Sequence, residues 1–572
     1  MPEGLSTSRV SGRASRVAII LALSILPIVP YIFLGYTGQD LPFHVCSWLD
    51  LRDGWLTGHL NPGWSAAANY GRGDPHLTFY PPVSYFLGAL LTLIFPLKFA
   101  PAIFAWIAVA LSGLAMYIAS QPFVAERDRL TAAVLYMLGP YTITTSLVRF
   151  AAAELLVQAW LPLITLCFYQ AVWVHEDSTP ESRKTRQRAL ILLALLLGLS
   201  WITNIPASIV LLYSLATAAI LCAFLQRSAW PLLRIAFAEL LAGALAAFHL
   251  VPVWKERPWV HPDTLLRIDP LQLLLFMPHY NFNDSPLLVV CWIFLCVQAV
   301  LCIACLRRRT LPISADPAVP IWVTLAVASF ILQSPLAIPL WQHAPELRFV
   351  QFPLRFLSVI GVALPLLLLS RGTRPSLRRP AYALTVLLSV TPFIAYLSEQ
   401  AVAANRTPPL PELLASWHRK GAPEYLPAGT TMPAGPANLP DVSSVNPSNP
   451  VAANPNCQAG IDRQNATIRI LHTSSITPCR LRLTLYFYPY WRASDETGKE
   501  LPVLRESTGL LLIDVPAGSY TVTLIFHPAS RTRTASFLAS LVTLVVLLGA
   551  LLYLRLTGHK AFEPQPASEM PS

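Results

Sequence analysis

Charge is scarce in this chain. Aspartate, glutamate, lysine and arginine make up 12% of its 572 residues, about half of the roughly 25% found in an average soluble protein. Hydrophobic residues make up 54%, and the mean hydropathy is +0.52. This shortage of charge excludes a cytosolic enzyme and a disordered chain. Cysteine is scarce as well, at nine residues, which excludes a disulfide-stapled mini-protein. The net charge is +11, yet no basic stripe interleaved with aromatics accompanies it, so nucleic acid is not an expected partner. The basic residues lie instead in short segments between apolar runs, where the positive-inside rule places them. In place of charge the chain carries a series of apolar runs long enough to cross a bilayer.

Twelve such runs are expected: 17–35, 100–120, 130–147, 157–174, 189–203, 205–225, 231–253, 286–306, 319–341, 354–369, 381–397 and 536–554. The first follows Arg9, Arg13 and Arg16 and has no small-residue cleavage site, so it reads as a retained helix and not as a signal peptide. Basic clusters fall at Arg127 and Arg129, Arg183 to Arg188, Arg227 and Arg234, Arg307 to Arg309, Arg371 to Arg379, and Arg555 with Lys560. All can be cytoplasmic together only if the apolar segment from Val83 to Phe95 does not cross. Its length agrees: about 20 Å of helix at 1.5 Å per residue, against a hydrocarbon core ~30 Å thick. The expected fold is an α-helical polytopic membrane protein of about 12 spans, or 13 if Val83 to Phe95 crosses.

On this topology 1–16 and 555–572 are cytoplasmic, 17–397 form a membrane domain with an outer loop at 36–82, and 536–554 is the last span. The segments 142–156, 254–285, 342–353 and 398–535 also face the far side. Within the last of these, 398–466 is rich in Pro, Ala and Asn and reads as a linker; the chain holds 52 prolines, about 9% against ~5% on average. The following 467–535 has strand character. Leu481, Leu483, Leu485 and Phe487 alternate with polar residues, the period of a half-buried strand. Residues 510–515, the turn Pro516-Ala517-Gly518 and 520–526 read as a hairpin with Val522, Leu524 and Phe526 inward. A small β-sandwich or half-barrel before the last span is expected. Cys457 and Cys479 lie in this polar domain and are candidates for a disulfide. Cys291, Cys296, Cys302 and Cys305 lie on an apolar run and lack zinc spacing.

The chemistry-bearing residues gather in the outer loops. Gly38-Gln39-Asp40-Leu41-Pro42-Phe43-His44 directly follows the first span, and the loop runs through Trp55, Asn61-Pro62-Gly63-Trp64 and Asn69 to His76, ending Phe79-Tyr80-Pro81-Pro82-Val83-Ser84-Tyr85. Asp40 and His44 are four apart and share a face if the segment is helical. A carboxylate at the lipid–water boundary can take a proton from an acceptor hydroxyl, or help hold a divalent cation; the plainer alternative is a polar residue at a helix end. Asp40, His44 and His76 make a weaker zinc set, lacking a compact ligand pair. Tyr80 and Tyr85 fit an interfacial aromatic belt or a ligand wall. Arg149 and Glu154 bracket a short turn and pair with each other or serve a ligand. Arg348 and Arg355 flank Phe349 to Leu354; a guanidinium fork suits phosphate, and interfacial snorkelling is the alternative. Lys255, Arg257, His261 and His279 lie in a further loop and nothing ranks them.

Gly38 to His44, the Trp64 to Tyr85 run, Arg149 with Glu154, and Gln351-Phe352-Pro353-Leu354-Arg355-Phe356 resemble a bacterial membrane family designated "6-pyruvoyl-tetrahydropterin synthase related", which is similar to the wider GT-C type of integral membrane glycosyltransferases. The resemblance spans nearly the whole chain, and no pterin-synthase zinc site is present. It implies a GT-C-like hexosyltransferase that uses a polyprenyl-phosphate sugar donor at the outer face of the inner membrane, with an envelope glycan, lipid or protein as acceptor. The first outer loop's acidic residue maps to Asp40, as general base or metal ligand, beside His44. Arg149, Arg348 and Arg355 would stabilise the departing lipid phosphate, with Glu154, Tyr80 and Tyr85 in the same site. No cofactor is certain; a divalent cation is a candidate. The chain departs from the family in two places. The second acidic residue is open among Asp50, Asp53 and Asp74, and Leu354 stands where the family's Phe-Pro-Trp-Arg pattern has Trp.

A transporter or flippase of lipid-linked saccharides would carry ionisable residues at mid-membrane. Glu239 is the exception among spans otherwise uncharged at their centres, which favours an interfacial enzyme. A non-catalytic envelope assembly protein would tolerate loss of Asp40.

Overall fold

The computed structural model describes residues 4–34, 38, 40–173, 179–261, 269–274, 316, 318–373, 421–433, 440–446 and 449–559, with scattered positions at 296–307 and 379–414. Its main helices in chain order, beside four short ones of four to six residues at Val29–Leu34, His76–Phe79, Pro140–Ile143 and Ile338–His343, are α1 (Gly4–Leu23), α2 (Leu41–Leu56), α3 (Pro82–Ile94), α4 (Ala100–Ala119), α5 (Arg129–Met137), α6 (Ala152–Val157), α7 (Leu161–Trp173), α8 (Pro180–Trp201), α9 (Ile205–Gln226), α10 (Trp230–Leu245), α11 (Ala247–Glu256), α12 (Ala318–Leu332), α13 (Leu357–Leu369) and α14 (Arg531–His559). Among the described residues five helices are long and apolar enough to cross a membrane, and two bent pairs also qualify. The expected spans 286–306 and 381–397 lie outside the described residues. The apolar helix α3 has 13 residues, about 20 Å of helix. It packs on α2 so closely that a Cβ on Gly88 would lie 2.2 Å from the Trp48 ring.

Four of the expected spans depart from one regular helix. The run 130–147 lies within one span-length helical segment, Glu126–Arg149, which passes through Gly139-Pro140 and ends in a π-helical turn, Thr144–Arg149. The run 157–174 is interrupted between α6 and α7. The run 231–253 bends by 76° between α10 and α11. Ser540 of α14 repairs the break, accepting from Phe248 N at 2.9 Å and donating to Ala244 O at 3.0 Å. The run 319–341 bends by 83° after α12, and Trp341 Nε1 donates to the freed Leu332 carbonyl at 2.8 Å. Inside a bilayer such freed backbone groups need protein partners, because no water reaches them.

Ten strands form a β-sandwich before α14: β1 (Val442–Asn446), β2 (Asn449–Ala453), β3 (Cys457–Gln464), β4 (Ile468–Ser475), β5 (Cys479–Tyr486), β6 (Trp491–Ser494), β7 (Glu500–Leu501), β8 (Val503–Arg505), β9 (Leu510–Val515) and β10 (Gly518–Phe526). One sheet runs β2-β1-β5-β9-β8, the other β3-β4-β10-β6-β7. Leu481, Leu483, Leu511, Ile513, Val522 and Leu524 are buried in its core. Two expectations need correction. Strands begin at Val442, inside the stretch read as linker; β2 and β3 are edge strands, and β3 has only one buried position, so their sequences show little alternation. The expected hairpin does not form either: β9 pairs with β5 and β8, and β10 with β4 and β6. The turn at Pro516–Gly518 crosses from one sheet to the other. Cys457 and Cys479 are bonded and tie β3 to β5 across the two sheets.

The sandwich grips the membrane part at two points. Trp64 of the long first loop is fully buried in it, 5.2 Å from the Phe526 ring and 5.5 Å from Trp491. Gly73 is required there: at φ 75° a Cβ would meet the Trp64 indole at 2.3 Å. The second point joins α11, α14 and the segment before β6. Arg533 donates to both oxygens of buried Glu256, at 2.9 and 2.7 Å, and Tyr490 donates to the same carboxylate at 2.7 Å.

Candidate functional site

Asp40 sits at the N-cap of α2, followed by Pro42, a residue suited to a helix's first turn. Its side chain makes no cap bond. The backbone here is held to the turn that carries Arg149: Asp40 N donates to Arg149 O at 2.9 Å. Gly38 makes the approach feasible, since at φ 133° a Cβ would stand 2.7 Å from the Phe150 Cβ. The π-helical turn ends at Phe150 in left-handed conformation, a kind of distortion that recurs at functional sites.

A chain of alternating charge results. Arg149 Nη2 lies 3.4 Å from Asp40 Oδ2, and Arg149 Nη1 lies 3.0 Å from Glu154 Oε2. Arg355 Nε reaches the same Glu154 oxygen at 2.9 Å, and the Tyr141 hydroxyl donates to Oε1. Arg355 also donates to the Val350 carbonyl and, at 3.4 Å, to Gln351 Oε1. The Phe352 ring lies 5.1 Å from the Arg149 guanidinium and 5.3 Å from that of Arg355. Glu154 and Arg355 are buried, at 3% and 6% exposure, whereas the Asp40 side chain keeps 41%. Burial alone would raise the Glu154 carboxyl, but Arg149, Arg355 and Tyr141 hold it below the usual carboxylate range. The desolvation around Asp40 raises its carboxyl, with Arg149 opposing.

Aromatic rings surround the next turn of α2. His44 is buried, 5.7 Å from the Tyr80 ring and 6.4 Å from Tyr85, and those two tyrosines stack at 4.7 Å. Burial and then the Arg149 charge push the His44 imidazole down to about 3, so it is neutral at pH 7. His44 Nδ1 is buried without a hydrogen-bond partner among the described residues.

Asp40, His44, Arg149, Glu154, Arg355, Tyr80 and Tyr85 are therefore brought together around one end of α2. Arg348 is not: it is exposed on its turn and makes no ion pair among the described residues. The zinc set is corrected, because both His76 ring nitrogens are engaged: Nδ1 with Asp74 Oδ1 at 2.7 Å, and Nε2 with Ser47 Oγ at 3.0 Å. Among the described residues no three His, Cys, Asp or Glu side chains converge as metal ligands, and the ion-pair partner of Asp40 is the Arg149 guanidinium. Of the candidates for a second acid, Asp50 accepts from Ser65, Asp53 pairs with Arg52 at 2.9 Å, and Asp74 is paired with His76. Of the unranked loop residues, Lys255 Nζ reaches Thr532 Oγ1 at 2.6 Å and Arg257 lies 5.7 Å from the Trp254 ring; His279 lies outside the described residues.

Two participants escaped the sequence. Tyr141 was read as part of a span, and nothing in its local pattern marks it. Glu424 lies on a 3-10 turn, Pro423–Tyr425, inside the stretch read as linker. That turn covers the loop: Tyr425 stacks on Phe43 at 6.1 Å and lies 6.1 Å from the His76 ring. Burial, with Asp74 and Asp40 nearby, raises the Glu424 carboxyl. The only signal was Glu-Tyr within an apolar, proline-flanked context.

The family model described as "6-pyruvoyl-tetrahydropterin synthase related domain; membrane protein" matches residues 77–403, more than half of the chain. No curated protein matches. Solved structures similar to the chain include ArnT from Cupriavidus metallidurans bound to undecaprenyl phosphate, with 12% identity, TM-score 0.42, and coverage of 71% of this chain and 74% of that one. The arabinofuranosyltransferase AftD from Mycobacteria shares 17% identity at TM-score 0.41, over 66% of this chain and 26% of that one. The oligosaccharyltransferase AglB from Archaeoglobus fulgidus, in complex with an inhibitory peptide and a dolichol-phosphate, shares 14% identity at TM-score 0.38, over 71% and 60%. At these scores the likenesses carry nothing about the site.

Proposed function

The chain belongs to the family of membrane proteins with the 6-pyruvoyl-tetrahydropterin synthase related domain, and we propose that it is a glycosyltransferase. It transfers a sugar from a polyprenyl-phosphate donor to a hydroxyl of an envelope acceptor at the outer face of the inner membrane. The observation that supports this reading most is the chain Asp40–Arg149–Glu154–Arg355, with its buried end fixed and its Asp40 end open.

Arg149 and Arg355 hold the donor phosphate, and Glu154 with Tyr141 fixes both guanidiniums in place. Charge that develops on the leaving phosphate meets donors already oriented. The phosphate competes with Asp40 for Arg149, which frees the carboxylate as the donor binds. Asp40 then takes the proton of the acceptor hydroxyl. The oxygen bonds to the anomeric carbon, the bond from that carbon to the phosphate oxygen breaks, and its electron pair leaves on the lipid phosphate. A base with a raised carboxyl is better matched to this proton than an ordinary surface aspartate. His44, neutral and packed against Tyr80 and Tyr85, orients the sugar by hydrogen bonding and takes no charge.

Glycan and lipid profiles of cells carrying wild type, Asp40→Asn and a deletion test this reading. Asp40→Asn is expected to lose the same glycan as the deletion while reaching the membrane at wild-type level. An unchanged profile would overturn it.

A further inference from the structure

A strained backbone position lies in the loop that leads to Arg355. Gln351 joins two short 3-10 turns, Pro345–Val350 and Pro353–Phe356, at φ 60° and ψ −52°. Phe352 N donates across it to Val350 O at 2.6 Å. A hydrogen bond spanning one residue, with that residue near about +75° and −65°, defines the rare, strained form of γ-turn. Phe150 and Arg227 also have positive φ, but at 47°, 46° and 49°, 42° they lie in the ordinary left-handed region. The ψ of Gln351 lies outside that region, and glutamine has none of glycine's freedom there. Such strain persists where the surroundings over-determine it, and both flanks are fixed here. Leu347 and Val350 are buried on one side, Pro353 and Phe356 on the other. Pro353 also keeps Phe352 extended, at φ −114° and ψ 107°.

The turn acts on Arg355. It aims the Val350 carbonyl at Arg355 Nη1, so that one oxygen accepts from Phe352 N and from Nη1 together. Gln351 Oε1 lies 3.4 Å from the same nitrogen. On the other edge, Nε is held by Glu154 Oε2 at 2.9 Å. Two nitrogens tied to two separate elements fix the plane of the guanidinium, and Nη2 has no hydrogen-bond partner among the described residues. A guanidinium edge held in this way is suited to a phosphate oxygen. Relaxing Gln351 to negative φ rotates the peptide that carries the Val350 oxygen and takes that oxygen off Nη1.

We propose that Gln351 is a positioning residue: its strained turn fixes the Arg355 guanidinium so that Nη2 is left for the phosphate of the donor. The proposal rests on the transferase reading for the identity of that phosphate. The test is binding of undecaprenyl phosphate, as the probe, to the full-length protein in lipid nanodiscs, with the unfolding midpoint of each variant measured beside it. Gln351→Gly, Gln351→Ala and Gln351→Val all lose the Oε1 contact and differ in the cost of positive φ, lowest for glycine and highest for a β-branched residue. Binding is expected to weaken about twofold, about fivefold and at least about tenfold in that order, the range of one hydrogen bond to a charged group. Arg355→Lys keeps the charge but has no planar fork to orient, so in that background the three variants are expected to bind alike. The glycine variant is expected to unfold at or above the wild-type midpoint, which separates binding from stability. If the valine variant does not fold, the order of glycine and alanine decides by itself. The proposal is overturned if the variants bind alike in the wild-type background, if they bind like wild type, or if their differences persist in full beside Arg355→Lys. Wild type that does not bind the probe overturns the donor reading and the proposal with it; wild type that binds, with no order among the variants, overturns the proposal alone.

Discussion

Two carboxylate–guanidinium clusters in this molecule look alike in composition and differ in how far they are filled. At Glu256 one carboxylate accepts two bonds from Arg533, one from Tyr490 at 2.7 Å and one from Tyr488 at 3.4 Å. Four donors meet the roughly four acceptor positions of a carboxylate, and the side chain is 2% exposed. At Asp40 a single guanidinium contact at 3.4 Å serves a side chain with 41% exposure. The first cluster is closed and joins three elements; the second has a closed root at Glu154 and an open tip. A filled ion pair holds parts together, whereas a partly filled one can exchange its partner for a ligand.

The largest effect that would sharpen this contrast is on chemistry. In a transfer assay with polyprenyl-phosphate-linked sugar, Asp40→Asn is expected to lower the rate about 100- to 10,000-fold, the usual contribution of a positioned base, with thermal stability unchanged. Glu256→Gln is expected to do the reverse. It leaves the half-buried Arg533 charge without its counter-ion, a loss somewhat below the ~3–5 kcal/mol of a fully buried pair, read as a lower unfolding midpoint and as early proteolytic release of the β-sandwich. If Glu256→Gln instead cut transfer in a protein of normal stability, the division between the two clusters would fail. Trp64→Ala, at the other grip point, is expected to cost about 3–5 kcal/mol by the cavity it leaves. Reduction of the Cys457–Cys479 bond, which closes a sequence separation of 22, is expected to cost about 2–4 kcal/mol in the sandwich, with the bundle unaffected.

The parts legible in the sequence are those where one residue's neighbours in the chain are also its neighbours in space. Asp40 and His44 lie on one helix, and Arg149 and Glu154 on one turn, so their grouping could be read directly. The strand at Cys479–Tyr486 declared itself by burial at alternate positions. The tie between Glu154 and Arg355, 201 residues apart, could be reached only through resemblance. Broken helices were illegible because hydropathy sums over a bend: the 76° turn between α10 and α11 leaves the apolar run intact. The linker was misread for the opposite reason. Pro423, Glu424 and Tyr425 have no periodicity, and what fixes them is the stacking of Tyr425 on Phe43 of α2, nearly four hundred positions away.

The smallest effect concerns the strap at 421–433, which carries Tyr425 onto Phe43, and the sign of its pH dependence. Burial alone would lower His76, but the paired Asp74, and then Asp50 and Glu424, raise it above the ordinary histidine value. A group raised in the folded state stabilises below its unfolded value, and that stabilisation is lost as pH rises through the folded value. With His76 charged, Nε2 donates to Ser47 while the Ser47 hydroxyl donates to Phe43 O at 2.7 Å. Once the ring loses that proton, the Ser47 hydroxyl must leave Phe43 to donate to Nε2. The first turns of α2 and the strap stacked on Phe43 are then held by one hydrogen bond fewer. Amide hydrogen exchange at 41–47 and 421–433, corrected for its intrinsic pH dependence, is expected to increase on the alkaline side, while the β-sandwich stays constant. Asp74→Asn, which removes the charge that raises His76, should shift the increase to lower pH. An increase on the acid side in wild type, or none, would mean that the strap is held by the Tyr425 rings alone.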